Sequence, residues 1–284
     1  MVTNKAASIR QKLRSIARER QETFDFVLRQ YALQCLMYRL SISEHNDQFM
    51  LKGGLLFWVW SGDFHRPTQD MDLLGFGKVD IEHIQQAFTE IINIDCDDGL
   101  VFDTASLKAK DIKEEAQYQG VRVTGRSSLE RAQIVFQIDI GFGDAVAKVN
   151  EVTEIPVFID DMPKPKLKTY PAETVVAEKF QAMVELGIAN SRMKDFFDIY
   201  TISEIMGLNR SALQHAILAT FERRDTALDI ENIYVFSDEF KNDDGKSKQW
   251  SAFVRKNQLS LVLSFKDVVE HIEAYLLDAL RAQA

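Results

Sequence analysis

Asp70 and Asp72 stand two residues apart in Arg66-Pro67-Thr68-Gln69-Asp70-Met71-Asp72-Leu73, downstream of the glycine pair Gly53-Gly54. If the segment from Asp70 is a strand, both carboxylates point to one face, because side chains alternate with period two. Two carboxylates side by side repel each other. A hard divalent cation such as Mg²⁺ removes that cost, since it takes a few carboxylate oxygens and then recruits phosphate. Glycines let backbone N–H groups come close to a phosphate. The combination points to phosphoryl or nucleotidyl transfer.

A third carboxylate, Asp139, lies in another candidate strand. Ile134, Phe136, Ile138 and Ile140 alternate with Val135, Gln137 and Asp139, so one face is apolar and Asp139 sits on the other. Three carboxylates from two strands can hold two metal ions about 3.5–4 Å apart, a clamp for in-line displacement. The plainer alternative for Asp139 is a solvent-facing strand residue. Further on, Glu178-Lys179 falls in a helical stretch whose buried stripe is Val176, Phe180, Met183 and Val184. Lys179, at the edge of that stripe, either reaches a triphosphate or snorkels to water. Asp195 and Asp198 are three apart and share a helical face. Arg192 and Lys194 stand close by, so a structural ion pair is an equal alternative. Arg66 is placed to touch phosphate, whereas His65 reads as a loop residue. The histidines and cysteines have no zinc-ligand spacing. No G-x-S-x-G, Walker loop or G-x-G-x-x-G is present.

These residues need a scaffold. Residues 70–75 and 133–140 read as strands, 100–126 as two or more strands with polar turns, and 81–93 as a helix between strands. Residues 8–40 read as helix: Ile9, Leu13, Ile16 and Ala17 form a stripe that Phe24, Val27, Leu28, Tyr31, Leu33, Leu36 and Leu40 continue. Residues 49–60 are apolar and turn helical after the glycines, with Lys52 near the start. Pro163, Pro165 and Pro171 interleave with Lys164, Lys166 and Lys168 in a rigid basic connection. Beyond it, 172–187, 194–206, 210–222 and 266–281 carry helical patterning, and Asn242-Asp243-Asp244-Gly245-Lys246 reads as an exposed polar loop. The expectation is an α/β (α+β) chain. A mixed sheet with flanking helices spans 1–165, and a mostly helical C-terminal domain spans 166–284.

A chain of 284 residues suits one large or two modest domains. Cys35 and Cys96 are its only cysteines, which excludes a disulfide framework and fits a reducing cytoplasm. The polar, basic first residues do not resemble a signal peptide, and no segment reads as a membrane span. The net charge is −9, but residues 1–40 hold eight basic against three acidic side chains, a balance of +5 that leaves −14 for the rest. Arg10, Lys12, Arg14 and Arg18 therefore form either a basic arm for a nucleic-acid backbone or the solvated face of an amphipathic helix.

In combination the motifs match a known pattern. Leu51-Lys52-Gly53-Gly54, Arg66-x-Thr68-x-Asp70-x-Asp72-Leu73, Gln137-Ile138-Asp139-Ile140, Glu178-Lys179 and Lys194-Asp195-Phe196-Phe197-Asp198 follow one another as in the AbiEii/AbiGii toxins. Over roughly residues 30–280 the chain resembles that family, the nucleotidyltransferase-like toxins of type IV toxin–antitoxin and abortive-infection systems, with the MenT toxins as relatives. The resemblance implies a nucleotidyltransferase-like mixed sheet with a helical C-terminal region. It also implies Mg²⁺-dependent transfer of NMP from an NTP to an RNA acceptor, for some relatives the tRNA 3′ end. Asp70 and Asp72 would be metal ligands, with Asp139 as a third. Lys52, Gly53, Gly54, Arg66, Thr68 and Lys179 would meet the nucleotide, and Asp195 or Asp198 would complete the distal part of the site. Many nucleotidyltransferases carry Gly-Ser where this chain has Gly53-Gly54, a departure that the resembled family shares. A cognate antitoxin is implied that need not form a stable complex. Transfer to a small molecule or protein, and a non-catalytic NTP- or RNA-binding module, remain the alternatives.

Overall fold

The alternation between Ile134 and Ile140 is built as a strand in the computed structural model, which describes residues 2–77, 79–114, 118–143 and 152–281. Two units are present, one running to Thr169 and the other beginning at Tyr170.

The first unit is built on a five-stranded mixed sheet. Its strands are β1 (Phe49–Lys52), β2 (Met71–Gly75), β3 (Leu100–Glu114), β4 (Tyr118–Leu129) and β5 (Ala132–Phe142), in the spatial order β1-β2-β5-β4-β3. β2 and β5 run parallel; the other neighbours are antiparallel. A two-residue turn joins β4 to β5, with Glu130 at φ 54. Positive φ in so short a turn lets it follow the twist of the strands it joins. One face of the sheet is apolar: Leu73, Val121, Val123, Ile138 and Ile140 are all 0% exposed. Burying such side chains contributes about 1.5–3 kcal/mol each. Helices α1 (Val2–Glu19), α2 (Phe24–Ser41), α3 (Leu56–Ser61) and α4 (Ile81–Ile92) belong to this unit. α2 packs on β5 and α4 on β3. A short hairpin of β6 (Val152–Glu154) and β7 (Lys166–Lys168) completes it, and Thr169 bridges to Leu51.

The single helix expected over 8–40 is two helices. Gln21 adopts φ 55, and Thr23 caps α2 by accepting from the Phe26 N–H. A threonine side chain that satisfies an orphan N–H starts a helix rather than continuing one. The apolar stripes are nonetheless as read. Ile9, Leu13 and Ala17 of α1 join Val27, Leu28 and Tyr31 of α2 in one core with Leu129 and Ile134.

The second unit is helical. It contains α5 (Ala172–Leu186), α6 (Met193–Ile205), α7 (Arg210–Arg223), α8 (Asp238–Lys241), α9 (Asp244–Lys256) and α10 (Phe265–Leu280). Its core is aromatic, with Phe196, Phe240 and Phe265 in mutual contact and each at most 1% exposed. The exposed loop expected at Asn242-Lys246 is instead the junction of α8 and α9. Asp243 caps α9, and Lys246 is 4% exposed, donating to the Asn190 carbonyl. Burial lowers the Lys246 pKa below the ordinary lysine value. Among the described residues no helix is long and apolar enough to cross a membrane.

Candidate active site

Strand register brings the acidic residues together. Lys52 of β1 lies opposite Asp72 of β2, Asp72 opposite Asp139 of β5, Asp139 opposite Arg122 of β4, and Arg122 opposite Lys110 of β3. Directly opposed residues project to the same face, so one charged row crosses all five strands. The rows beside it, such as Leu51, Leu73, Ile140 and Val121, project into the core. Asp70 stands just before β2. The Gln137 amide donates to Asp70 Oδ2 at 3.4 Å and to Asp139 Oδ2 at 3.2 Å, tying the two carboxylates together.

Asp139 is buried, and Arg122 holds it in a two-pronged pair, Nε to Oδ1 and Nη2 to Oδ2 at 2.7 Å each. This fork geometry matches guanidinium to carboxylate. The third carboxylate thus stands beside the Asp70–Asp72 pair with both oxygens engaged by arginine. Arg122 was not among the residues singled out from the sequence. The signal existed: a two-residue turn at Glu130-Arg131 fixes the hairpin register that sets Arg122 against Asp139.

The glycine pair is shaped around its partners. Gly53 has φ +76, and a Cβ there would collide with the Asp72 carboxylate. A Cβ on Gly54 would meet Thr68 Oγ1 at 2.5 Å and Arg66 Nη2 at 3.3 Å. Both glycines are therefore required by close approach, and Gly53 by its backbone as well. Thr68 is 4% exposed, and its hydroxyl has no hydrogen-bond partner. Gln30 and Arg29 of α2 hold this segment through the Thr68 carbonyl and the Gln69 side chain. His65, at φ 55, bonds Ser61 as a loop residue would.

Asp70, Asp72 and the glycine cradle fit a hard divalent ion. Their donors are carboxylate oxygens from adjacent positions, which Mg²⁺ takes in small number alongside water and phosphate. The orphaned Thr68 hydroxyl and the Arg66 guanidinium beside Gly54 suit a phosphate. Among the described residues no three His, Cys, Asp or Glu side chains are gathered as metal ligands.

In the second unit Lys179 of α5 is clamped between Asp195 and Asp198 of α6, with Nζ 2.8 Å from a carboxylate oxygen of each. The two aspartates are 0% and 1% exposed, and Arg192 pairs with Asp195 at 2.6 Å. Lys179 and Arg192 face two buried carboxylates. The ion-pair reading of Asp195 and Asp198 thus describes their contacts, with Lys179 as the partner at its centre.

The basic residues of α1 are held locally. Arg10 pairs with Glu130 and Lys12 with Asp161, and the Arg14 guanidinium lies over the Phe24 ring. Arg18 is exposed. α1 is an amphipathic helix packed on its unit.

Comparison with known proteins agrees with this architecture. The family model of the nucleotidyl transferase AbiEii toxin of type IV toxin–antitoxin systems matches residues 35–271. No curated protein matches the chain. The crystal structure of JHP933 from Helicobacter pylori is similar, with TM-score 0.52 and 11% identity, over 90% of this chain and 92% of that one. A protein from H. pylori proposed to be a nucleotidyltransferase is also similar, with TM-score 0.50 and 12% identity, over 90% of this chain and 94% of that one. At these identities the likeness concerns fold. The family match spans most of the chain, and the protein belongs to the AbiEii nucleotidyltransferase toxin family of type IV toxin–antitoxin systems.

Proposed function

We propose that this protein transfers a nucleoside monophosphate from an NTP to the 3′ hydroxyl of an RNA, with tRNA as the acceptor class. The observation that carries the reading is the cradle in which Asp72 lies on Gly53 while Arg66 and Thr68 close on Gly54. Asp70 and Asp72 would hold Mg²⁺, which when bound supplies a Lewis acid for the attacking hydroxyl and charge neutralisation for the leaving pyrophosphate. In the transfer, the 3′ oxygen bonds to the α-phosphorus and the bond to the bridging oxygen breaks. The hydroxyl proton is lost and pyrophosphate departs. The chain's own part is electrostatic and positional. Gly53 and Gly54 admit the phosphates to the backbone, Thr68 offers its unpartnered hydroxyl, and Arg66 and Lys52 supply positive charge. Gln137 and the Arg122-held Asp139 keep Asp70 in place. Lys179, Asp195 and Asp198 form an ion cluster within the second unit. The cognate antitoxin opposes the effect without needing a stable complex.

The test is incubation with each of the four labelled NTPs, Mg²⁺ and total tRNA. Label in RNA with at least one NTP is the expected result. Label in a small molecule or protein would move the acceptor. NTP binding without turnover would replace the enzyme with a binding module.

A further inference from the structure

We infer that the exposed face of β3 and β4 is the track on which the RNA acceptor lies, with Lys108, Lys110 and Arg126 as its phosphate contacts. The inference rests on the reading of the protein as an RNA nucleotidyltransferase, and it places the acceptor away from the basic residues of α1.

Alternation along β4 turns Val121, Val123, Gly125 and Ser127 into the core and leaves Arg122, Thr124 and Arg126 on the other side. Register then sets Lys110 of β3 against Arg122 and Lys108 against Thr124. Lys108, Lys110 and Arg126 are all exposed in the complete chain. The two lysines have no ion-pair partner among the described residues. Arg126 meets Asp103 at 3.6 Å, with both side chains about half exposed. An exposed pair of that kind contributes little and readily exchanges its partner for a phosphate. The acidic residues that register places on this face include Asp103 at its far end, Asp139 under Arg122 and Asp72 on β2. Val135, opposite Arg126 and 58% exposed, offers an apolar contact for a ribose or base.

The row is continuous with the carboxylates. From β2 to β3 is three strand spacings, about 14 Å. On a chain of net charge −9, cations lined up on one sheet face beside the metal-binding carboxylates fit a polyanion whose end is delivered to Asp70 and Asp72. On α1, Arg10 is held in a partly buried pair with Glu130 and the Arg14 guanidinium lies over the Phe24 ring.

The experiment compares wild type with the triple variant Lys108→Gln, Lys110→Gln, Arg126→Gln. Steady-state transfer is measured as a function of salt, and anisotropy reports binding of a fluorescent RNA hairpin with a single-stranded 3′ end. The track predicts a rise of about tenfold or more in KM for RNA, with KM for NTP and kcat unchanged within about twofold. The slope of log affinity against log salt should fall by about 2, since each phosphate contact contributes about 0.7 on a single strand. A variant with Lys108→Arg and Lys110→Arg and with Arg126 kept should bind RNA as wild type does, and the melting temperature of the triple variant should not move. An unchanged RNA KM and salt slope in the triple variant, with wild type active on RNA, overturns the track and leaves the activity standing. Cation-dependent RNA binding by a wild type that transfers nothing keeps the track and overturns the activity. A wild type that neither binds nor modifies RNA overturns both.

Discussion

At the scale of single residues, the site turns on what Gly53 lacks. Its φ of +76 and the Asp72 carboxylate packed against its Cα leave no room for a side chain. Gly62 offers a control, with φ +71 and nothing within 4 Å of an added Cβ. Gly62→Ala should cost only the left-handed backbone term, about 1–2 kcal/mol in urea unfolding, and leave nucleotidyl transfer intact. Gly53→Ala carries the same backbone term and also displaces Asp72, so it should abolish transfer. Equal activity of the two variants would mean that contact between Gly53 and Asp72 is incidental. Thr68→Val keeps the shape of a buried residue while removing its unpartnered hydroxyl. It should raise KM for NTP without lowering the melting temperature, because no hydrogen bond within the protein is lost.

At the scale of elements, two buried ion clusters join segments distant in sequence. Arg39 of α2 is 2% exposed and donates to Asp98, which precedes β3, as well as to the Ile94 and Cys35 carbonyls. Asp98→Ala strands that guanidinium and should cost about 3–5 kcal/mol in urea unfolding. Lys179→Ala removes the ammonium between two buried carboxylates on α6, so it should destabilise the fold by about 3–5 kcal/mol in urea unfolding. A Lys179→Ala protein as stable as wild type would show that those carboxylates are not held as described. Much of this scale was legible in the sequence, and the reason is locality. The alternation of 134–140, the stripes of α1 and α2, and the 3.6-residue patterning of the second unit are all short-range signals. What was not legible depends on pairing across the chain. Arg122 reaches Asp139 only through hairpin register. Asp195 and Asp198 find Lys179 only because α5 and α6 pack together. Lys246 lies in a polar run yet is buried, because Asp243 caps α9 and turns the lysine toward Asn190. Thr23 reads as an ordinary polar residue of a long helix until it is seen to cap α2.

At the scale of the whole molecule, an acidic chain keeps its positive charge in distinct places. Arg10 and Lys12 of α1 are paired with acidic residues of their own unit, and in the second unit Lys179 is paired with aspartates and Lys241 with Glu273. The exposed lysines of β3 remain beside the carboxylate row. Net charge therefore says little about which partner the molecule takes; the distribution over one sheet face says more. The central proposal is that the Asp70–Asp72 pair is the seat of nucleotidyl transfer. The most direct measurement is Asp72→Asn, assayed for transfer from labelled NTP to tRNA alongside its thermal melt. Asp72 lies on the polar face of the sheet, not in its core, and asparagine keeps its shape, so the variant should still fold and melt cooperatively. Transfer should disappear, and with it growth inhibition on expression. An Asp72→Asn protein that melts as wild type and still transfers nucleotide to RNA would contradict the account.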